Sequence, residues 1–224
     1  SRQKFFLLIA KTNLEIIYRS AGHFNARFSI LDSTDADGKH LFHQITIEEG
    51  VRFRFSEIVI DIPDAEKLLL DYSDLEVYPL KRFDQSDITA DLTKITRRYR
   101  ENGYLHVRPQ HALYLDSLDN SLKVIYTVNP GSLVKFGEIR VECKRSKKFK
   151  EAQGSTNGIS SPEFIQSMWR KKPGEIIDNN YFDNFRSKLL GTRLFSQVIL
   201  NDSLNSHDPE QRSIISVKTT EKVP

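Results

Sequence analysis

The chain has 224 residues, 38% hydrophobic and 28% charged, with a formal net charge of +3, 14 Phe, 8 Tyr and one cysteine, Cys143. One cysteine excludes an internal disulfide framework and a cysteine-rich zinc site. No window approaches 18 apolar residues, which excludes a transmembrane helix, and the longest apolar run, residues 5–10, is too short for a span and lacks a signal-peptide cleavage site. The balance is polar for one large globule, so several small domains with a high surface-to-volume ratio are expected. The chain opens on Ser1 and reads as a piece of a longer protein.

In chain order, residues 3–21 read as a helix closed by Gly22. Two strands follow, 25–31 and 40–48, around the turn 32–38. Residues 53–62 alternate and are rich in β-formers, so they read as a strand. Pro63-Asp64 ends it and starts a short helix over 65–72. Ser86 or Asp87 can cap a longer helix over 88–102, which Gly103 closes as its left-handed residue. Strands 106–115 and 122–129 flank the turn 116–121. A further set comprises strands 134–143, 196–201 and 213–220 and helices 162–171 and 179–190. The polar stretch 146–161, which holds Gly154, Gly158 and several Ser, reads as an inserted loop.

These elements repeat. Gly50, Phe55, Glu57 and Ile58 recur 81 positions later as Gly131, Phe136, Glu138 and Ile139, and Gly22 and Arg27 recur as Gly103 and Arg108. A more divergent copy carries Leu92, Ile95 and Tyr99 onto Phe182, Phe185 and Leu189, one helical face. The unit is β-α-α-β-β, an α+β fold. Its last two strands form a hairpin, its first strand pairs beside the third, and two helices cover one face of a three-stranded mixed sheet. The domains are then 1–50, a partial repeat without its first strand; 51–131, a complete repeat; and 132–224, a third repeat with the insertion. Each would bury its own core, like beads on a string. Gly50 and Gly131 stand at the handovers and act as joints. Phe55 and Phe136 follow them, either packing between neighbouring units or, more plainly, filling the cores of their own strands. Trp169, with Met168, reads as core packing beside Phe164 and Ile165.

The ordered set resembles a known family. A unit of about 80 residues, a helix closing in Gly-His-Phe or Gly-Tyr-Leu, and Glu-Glu-Gly or Asn-Pro-Gly followed by Phe-Ser-Glu-Ile or Phe-Gly-Glu-Ile are similar to the POTRA repeats of the BamA/TamA superfamily of outer-membrane assembly proteins. The third copy, with Lys172-Pro173-Gly174-Glu175 and Gly191-Thr192-Arg193-Leu194-Phe195-Ser196-Gln197-Val198, resembles the barrel-proximal repeat. Arg193 stands where that family usually has Gly. The resemblance implies a periplasmic array at the outer membrane of a Gram-negative bacterium, covalently continuous with a membrane β-barrel beyond Pro224. It implies protein partners: unfolded outer-membrane proteins and accessory assembly proteins or lipoproteins.

An exposed sheet edge offers unpaired N–H and C=O groups to which an extended client can add a strand, with little dependence on client sequence. In this topology the second strand of each unit is such an edge. The candidate binding residues are therefore His106, Val107, Arg108, Gln110, His111 and Leu113 of the middle repeat, then Asn25, Arg27 and Ser29 of the first. The competing reading is an adaptor that tethers lipoproteins or envelope components without touching client. A nucleic-acid or membrane-surface reading would rest on the run from Lys144 to Lys150, but no RNP, zinc-finger or helix-turn-helix pattern accompanies it, so a solvated loop and no nucleic-acid partner are expected. No enzymatic activity or cofactor is expected either. The six His lack metal spacing, His40 and His43 fall on opposite faces of a strand, and Asp32, Asp35 and Asp37 lack the bidentate Glu of a calcium loop.

Overall fold

The computed structural model describes residues 2–35, 37, 40–61, 72–144, 162–204, 208 and 212–221. The expected helix 65–72 and the expected inserted loop 146–161 lie outside the described residues, except that Tyr72–Asp74 forms a single 3₁₀ turn. Two compact units are present, Ser1–Thr96 with Pro109–Asn129, and Arg97–Arg108 with Pro130–Pro224. Among the described residues, no helix is long and apolar enough to cross a membrane.

The elements run α1 (Arg2–Ser20), β1 (Arg27–Thr34), β2 (Leu41–Glu48), β3 (Arg54–Asp61), α2 (Gln85–Glu101), β4 (Arg108–Asp116), β5 (Ser121–Asn129), β6 (Phe136–Lys144), α3 (Pro162–Met168), α4 (Asn179–Gly191), β7 (Phe195–Leu204) and β8 (Ser213–Glu221). Strands β1 and β2 pair antiparallel as a two-stranded sheet. The other two sheets have the orders β3-β5-β4 and β6-β8-β7. In each, the first strand pairs parallel with the third, and the hairpin partner takes the other side. The fold is α+β with mixed three-stranded sheets, as the repeat unit requires.

The two complete sheets superpose residue by residue in their pairing. Both first strands carry a register shift at the same place, between Phe55 and Glu57 and between Phe136 and Glu138. Ile60 faces Tyr126 in one sheet, and Val141 faces Val217 in the other. The alternation of β5 buries Leu122, Val124, Tyr126 and Val128, and that of β8 buries Ser213, Ile215, Val217 and Thr219. This is the period-2 pattern of a central strand with one face on a core.

Helix α2 buries Ile88, Asp91, Ile95 and Tyr99, and α4 buries Phe182, Phe185 and Leu189. The N-terminal cap of α2 is Asp84, not Ser86 or Asp87: its Oδ1 accepts from the Ser86 N–H at 2.9 Å and from the Ser86 hydroxyl at 2.6 Å. Those hydrogen bonds hold the Asp84 carboxyl below the ordinary carboxylate range. Asp178 does the same for α4, accepting from the Tyr181 N–H at 2.8 Å. The caps correspond and set Ile88, Asp91 and Ile95 against Phe182, Phe185 and Leu189, one helical turn earlier than the sequence alignment, which places Leu92, Ile95 and Tyr99 there; a slip of one turn keeps the same helix face, so periodicity alone does not detect it. Helix α4 has 13 residues and α2 has 17, so the third repeat is shorter by about one turn at the helix C-terminus.

Asp91 is the one carboxylate fully buried among the described residues. It accepts from the N–H groups of Glu76 (2.5 Å) and Val77 (3.1 Å) and from the Tyr126 hydroxyl (2.9 Å). Burial, then the Asp91 charge and its hydrogen bond, push the Tyr126 phenol far above its ordinary value of 10.0. The unfolded chain therefore loses this proton first. Its contribution to stability is whole below pH 10 and declines as the pH rises beyond it. Tyr126→Phe should flatten that alkaline limb in denaturation curves taken above pH 10. An unchanged limb would show that Tyr126 does not set it.

Candidate functional site

The candidate edges lie where the topology leaves strands unpaired on one side. Strands β4 and β7 are sheet edges, as the hairpin order implies, and so are the first strands β3 and β6. Edge β3 is interrupted by its bulge, a common device that twists an edge away from pairing. On β4, Arg108, Gln110, Ala112 and Tyr114 are exposed, while Pro109, His111 and Leu113 are half-buried. Pro109 is tolerated near a strand start on an edge because it donates no ladder hydrogen bond.

The structure sorts the sequence candidates into two groups. Arg108, Gln110, His111 and Leu113 lie on β4, and Arg27 and Ser29 lie on β1. His106, Val107 and Asn25 do not lie on these strands: they sit in the turns that precede β4 and β1. Val107 is buried, and the His106 imidazole is engaged with the Asp202 carboxylate of β7 at 2.6 Å. His111 and Leu113 share the half-buried face of β4, and Arg108 and Gln110 the exposed one.

The helix-end turns have a repeated job that residue-type reasoning missed. At α1, the Gly22 N–H donates to the Arg19 carbonyl and the His23 N–H to the Tyr18 carbonyl; at α2, Gly103 donates to Arg100 and Tyr104 to Tyr99. This is the Schellman arrangement, with both glycines at positive φ. Each glycine carbonyl then receives the N–H that opens the next β segment, Phe53 for Gly22 and Val134 for Gly103, both at 3.0 Å. The residue two places on plugs in beside it. Phe24 packs edge-to-face on Phe53 and Phe83, with centroids 5.2 and 5.0 Å apart, and Leu105 lies in the core built on Val134, Phe136 and Ile177. The repeat alignment already paired Gly22 with Gly103 and Phe24 with Leu105; that pairing was the available signal.

Gly50 and Gly131 both take positive φ, 67° and 72°. Phe55 and Phe136 are buried in the cores of their own repeats, Phe55 against Phe83 at 5.5 Å and Phe136 against Trp169 at 5.1 Å. They are core residues rather than spacers. Trp169 is core as expected, enclosed by Phe136, Tyr181, Phe182 and Phe185, although α3 ends just before it.

Beside β1 lies an open cavity of about 260 Å³ lined by Glu15, Arg19, His23, Phe24, Ala26 and Phe28. The Arg19 guanidinium stacks over the Phe24 ring, and Tyr18 packs edge-to-face on Phe28 and donates to Glu49. Desolvation first, then Glu49, raises the Tyr18 phenol above its usual value. The aspartates at the β1–β2 turn are engaged locally: Asp35 pairs with His40 at 2.6 Å and Asp32 with His43 at 2.7 Å. Among the described residues, no group of three or more His, Cys, Asp or Glu is arranged to hold a metal ion.

The POTRA family model, described as "Surface antigen variable number repeat", matches residues 52–131. The outer membrane protein assembly factor BamA of Neisseria meningitidis serogroup B is 23% identical over 175 residues, which is 75% of this chain and 21% of that protein. The chain thus spans about a fifth of that relative's length. The crystal structure of Haemophilus influenzae BamA POTRA3-5 superposes with a TM-score of 0.60 at 16% identity, covering 92% of this chain and 76% of that one. BamA from Haemophilus ducreyi lacking POTRA domains 1–3 superposes with a TM-score of 0.56 at 14% identity, covering 77% of this chain and 30% of that one. Residues 52–131 thus match the POTRA family model, and the repeat unit seen in the structure has the fold of the BamA POTRA domains.

Proposed function

We propose that the chain is a non-enzymatic periplasmic module of an outer-membrane protein assembly or translocation factor, covalently continuous with a membrane β-barrel. It receives unfolded outer-membrane polypeptides or accessory proteins by strand addition and passes them to that barrel. The observation that carries the reading is the strand order β3-β5-β4, which leaves the main chain of β4 open on one side. Main-chain pairing supplies affinity with little demand on side chains, which suits a receiver of unlike clients. On β4 the charged Arg108 and the adjoining Pro109 stand at the strand start, two features that discourage permanent edge-to-edge association. The cavity beside β1 offers a second place where an incoming side chain can be taken up.

The test is a titration of the isotopically labelled chain with a peptide from an outer-membrane barrel strand. Amide shifts are expected along residues 108–113. Gln110→Pro removes a ladder donor and should weaken binding by at least about tenfold if that N–H faces the peptide, while Gln110→Thr should not. Shifts confined to one helix face would support the adaptor reading, in which the repeats tether lipoproteins or envelope components without contacting client.

A further inference from the structure

The segment leading into α2 and its counterpart in the third repeat form the same bridge with different side chains. Arg54 pairs antiparallel with Arg82, and Lys135 with Ile176. In the middle repeat the Phe55 N–H donates to the Lys81 carbonyl and the Phe83 N–H to the Phe53 carbonyl, both at 2.9 Å. In the third the Phe136 N–H donates to the Glu175 carbonyl at 2.9 Å and the Ile177 N–H to the Val134 carbonyl at 3.0 Å. Bonds that flank a pair in this way bring its two side chains as close as an antiparallel ladder allows, on one face. The fold therefore asks for two neighbours here, but not for two cations. Like charges directly opposite one another are destabilising, and the third repeat sets its lysine against an apolar residue.

Neither arginine is used inside its own repeat. Both are exposed, and among the described residues neither forms an ion pair. Acids on the same segments are already engaged: Asp84 with Arg52 at 3.7 Å, Asp87 with Lys81 at 2.9 Å, Glu76 with Lys94 at 2.8 Å and Glu57 with Lys123 at 3.0 Å. Nor does Arg82 seat the preceding helix-end turn. A Cβ at Gly103 would lie 2.5 Å from Ile176 Cγ2, whereas the atoms nearest to one at Gly22 belong to Phe83 and Arg52. The main chain is open at the same point. The Arg54 N–H turns to the β5 side and donates to the Asn120 carbonyl at 3.1 Å. The N–H and C=O of Arg82 turn the other way, and among the described residues they meet no partner.

We infer that Arg54, Arg82 and the open main chain of Arg82 dock an acidic, extended segment of a partner protein, with a glutamate or aspartate opposite Arg82. Two unpaired guanidinium groups on one face select an anion, and their planar forks fit a carboxylate through two parallel hydrogen bonds. The outward C=O of Arg82 narrows the class. A phosphodiester, in a nucleic acid or a phospholipid, supplies acceptors only, whereas an extended peptide supplies an N–H for that carbonyl and a C=O for the Arg82 N–H. A residue hydrogen-bonded opposite Arg82 also has its side chain on the face that the two arginines share. The open edge is short, because the Lys81 N–H is bonded to the Tyr78 carbonyl and the Phe83 carbonyl accepts from Arg52. Charge pairing rather than a long ladder therefore selects the segment. This dock uses none of the β4 residues, so its failure leaves the strand-addition reading standing.

Two measurements test this. In the first, an end-blocked fluorescent peptide alternating Glu and Thr is titrated against the isotopically labelled chain at low salt. Saturable binding is expected, with amide shifts centred on Arg82. It should weaken at least about tenfold in Arg54→Gln or Arg82→Gln, stay unchanged in Arg100→Gln, and vanish for the same peptide with Gln in place of Glu. No saturable binding, shifts confined to residues 108–113, equal weakening by Arg100→Gln, undiminished binding of the Gln peptide, or arginine-dependent binding to phosphatidylglycerol vesicles in place of the peptide would overturn the inference. In the second, Arg54→Glu turns the like-charged pair into an opposite one. Tm is expected to rise by about 1–3 °C at low salt while peptide binding is lost, which separates lost docking from lost folding. An unchanged or lower Tm would mean that the two arginines are satisfied within their own repeat, and the case for an outside carboxylate falls.

Discussion

Asp91→Ala is expected to destabilise the protein by about 3–5 kcal/mol, read as a lower urea midpoint at an unchanged slope. The buried carboxylate holds three donors, the part-buried Glu76 N–H and the buried Val77 N–H and Tyr126 hydroxyl. Truncation leaves all three without an acceptor, and each buried orphan costs about 1–3 kcal/mol. Asp91→Asn keeps the shape but presents an NH₂ to one of these donors, so an intermediate loss of about 2 kcal/mol is expected. The third repeat shows that the task has another solution. The N–H groups of Arg170 and Lys171, in the places of Glu76 and Val77, both donate to the Tyr181 hydroxyl, at 2.8 and 3.2 Å. Phe185 and Val217 then stand where Asp91 and Tyr126 stand, both inside an apolar core. The combination Asp87→Tyr, Asp91→Phe and Tyr126→Val transplants that solution and should recover most of the stability lost in Asp91→Ala. A loss below about 1 kcal/mol in Asp91→Ala would show that water reaches the donors and that the site is not dry.

Gly103→Ala is expected to cost about 2–4 kcal/mol, from left-handed strain and overpacking together. Its φ is 91°, and a Cβ there would lie 2.5 Å from Ile176 Cγ2 and 3.0 Å from Leu133 Cδ1. Ile176 Cγ2 sits on a branched Cβ and moves aside only by a change of χ1, which branching restricts. The same region receives the Val134 N–H on the Gly103 carbonyl, so the substitution should also speed amide exchange at Val134 and Ile177. Gly191→Ala is the matched control: it ends α4, lacks a left-handed φ and would meet no atom within 4 Å. That change should stay within about 0.5 kcal/mol of the parent. Equal effects for the two substitutions would mean that the Gly103 turn is not seated against Ile176.

Several features were legible without coordinates because they are local. The alternation of residues 122–129 names the buried face of β5 before any partner is known, since a strand's side-chain period is independent of its neighbours. The helix-closing glycines are local too, because left-handed backbone is intrinsically costly for other residues. Arg193 shows the limit of that rule: it takes φ 61° in the corresponding turn although it is not glycine. The placement of His106, Val107 and Asn25 was not legible. They alternate acceptably with the strands that follow, and only the seat of each helix-end turn shows that the strands begin later.

The amino-acid sequence by itself determined the repeat, its β-α-α-β-β order, the phase of each strand and the glycine turns, because these follow from periodicity and from single-residue backbone preferences. The tertiary structure decided which groups meet. Asp91 rather than a solvent-facing acid closes one loop, Tyr181 closes the other, and Phe24 and Leu105 leave their own helix ends to fill the start of the next β segment. Such choices depend on donors and surfaces brought together from distant positions, where many side chains of suitable type are available and only three-dimensional proximity selects among them.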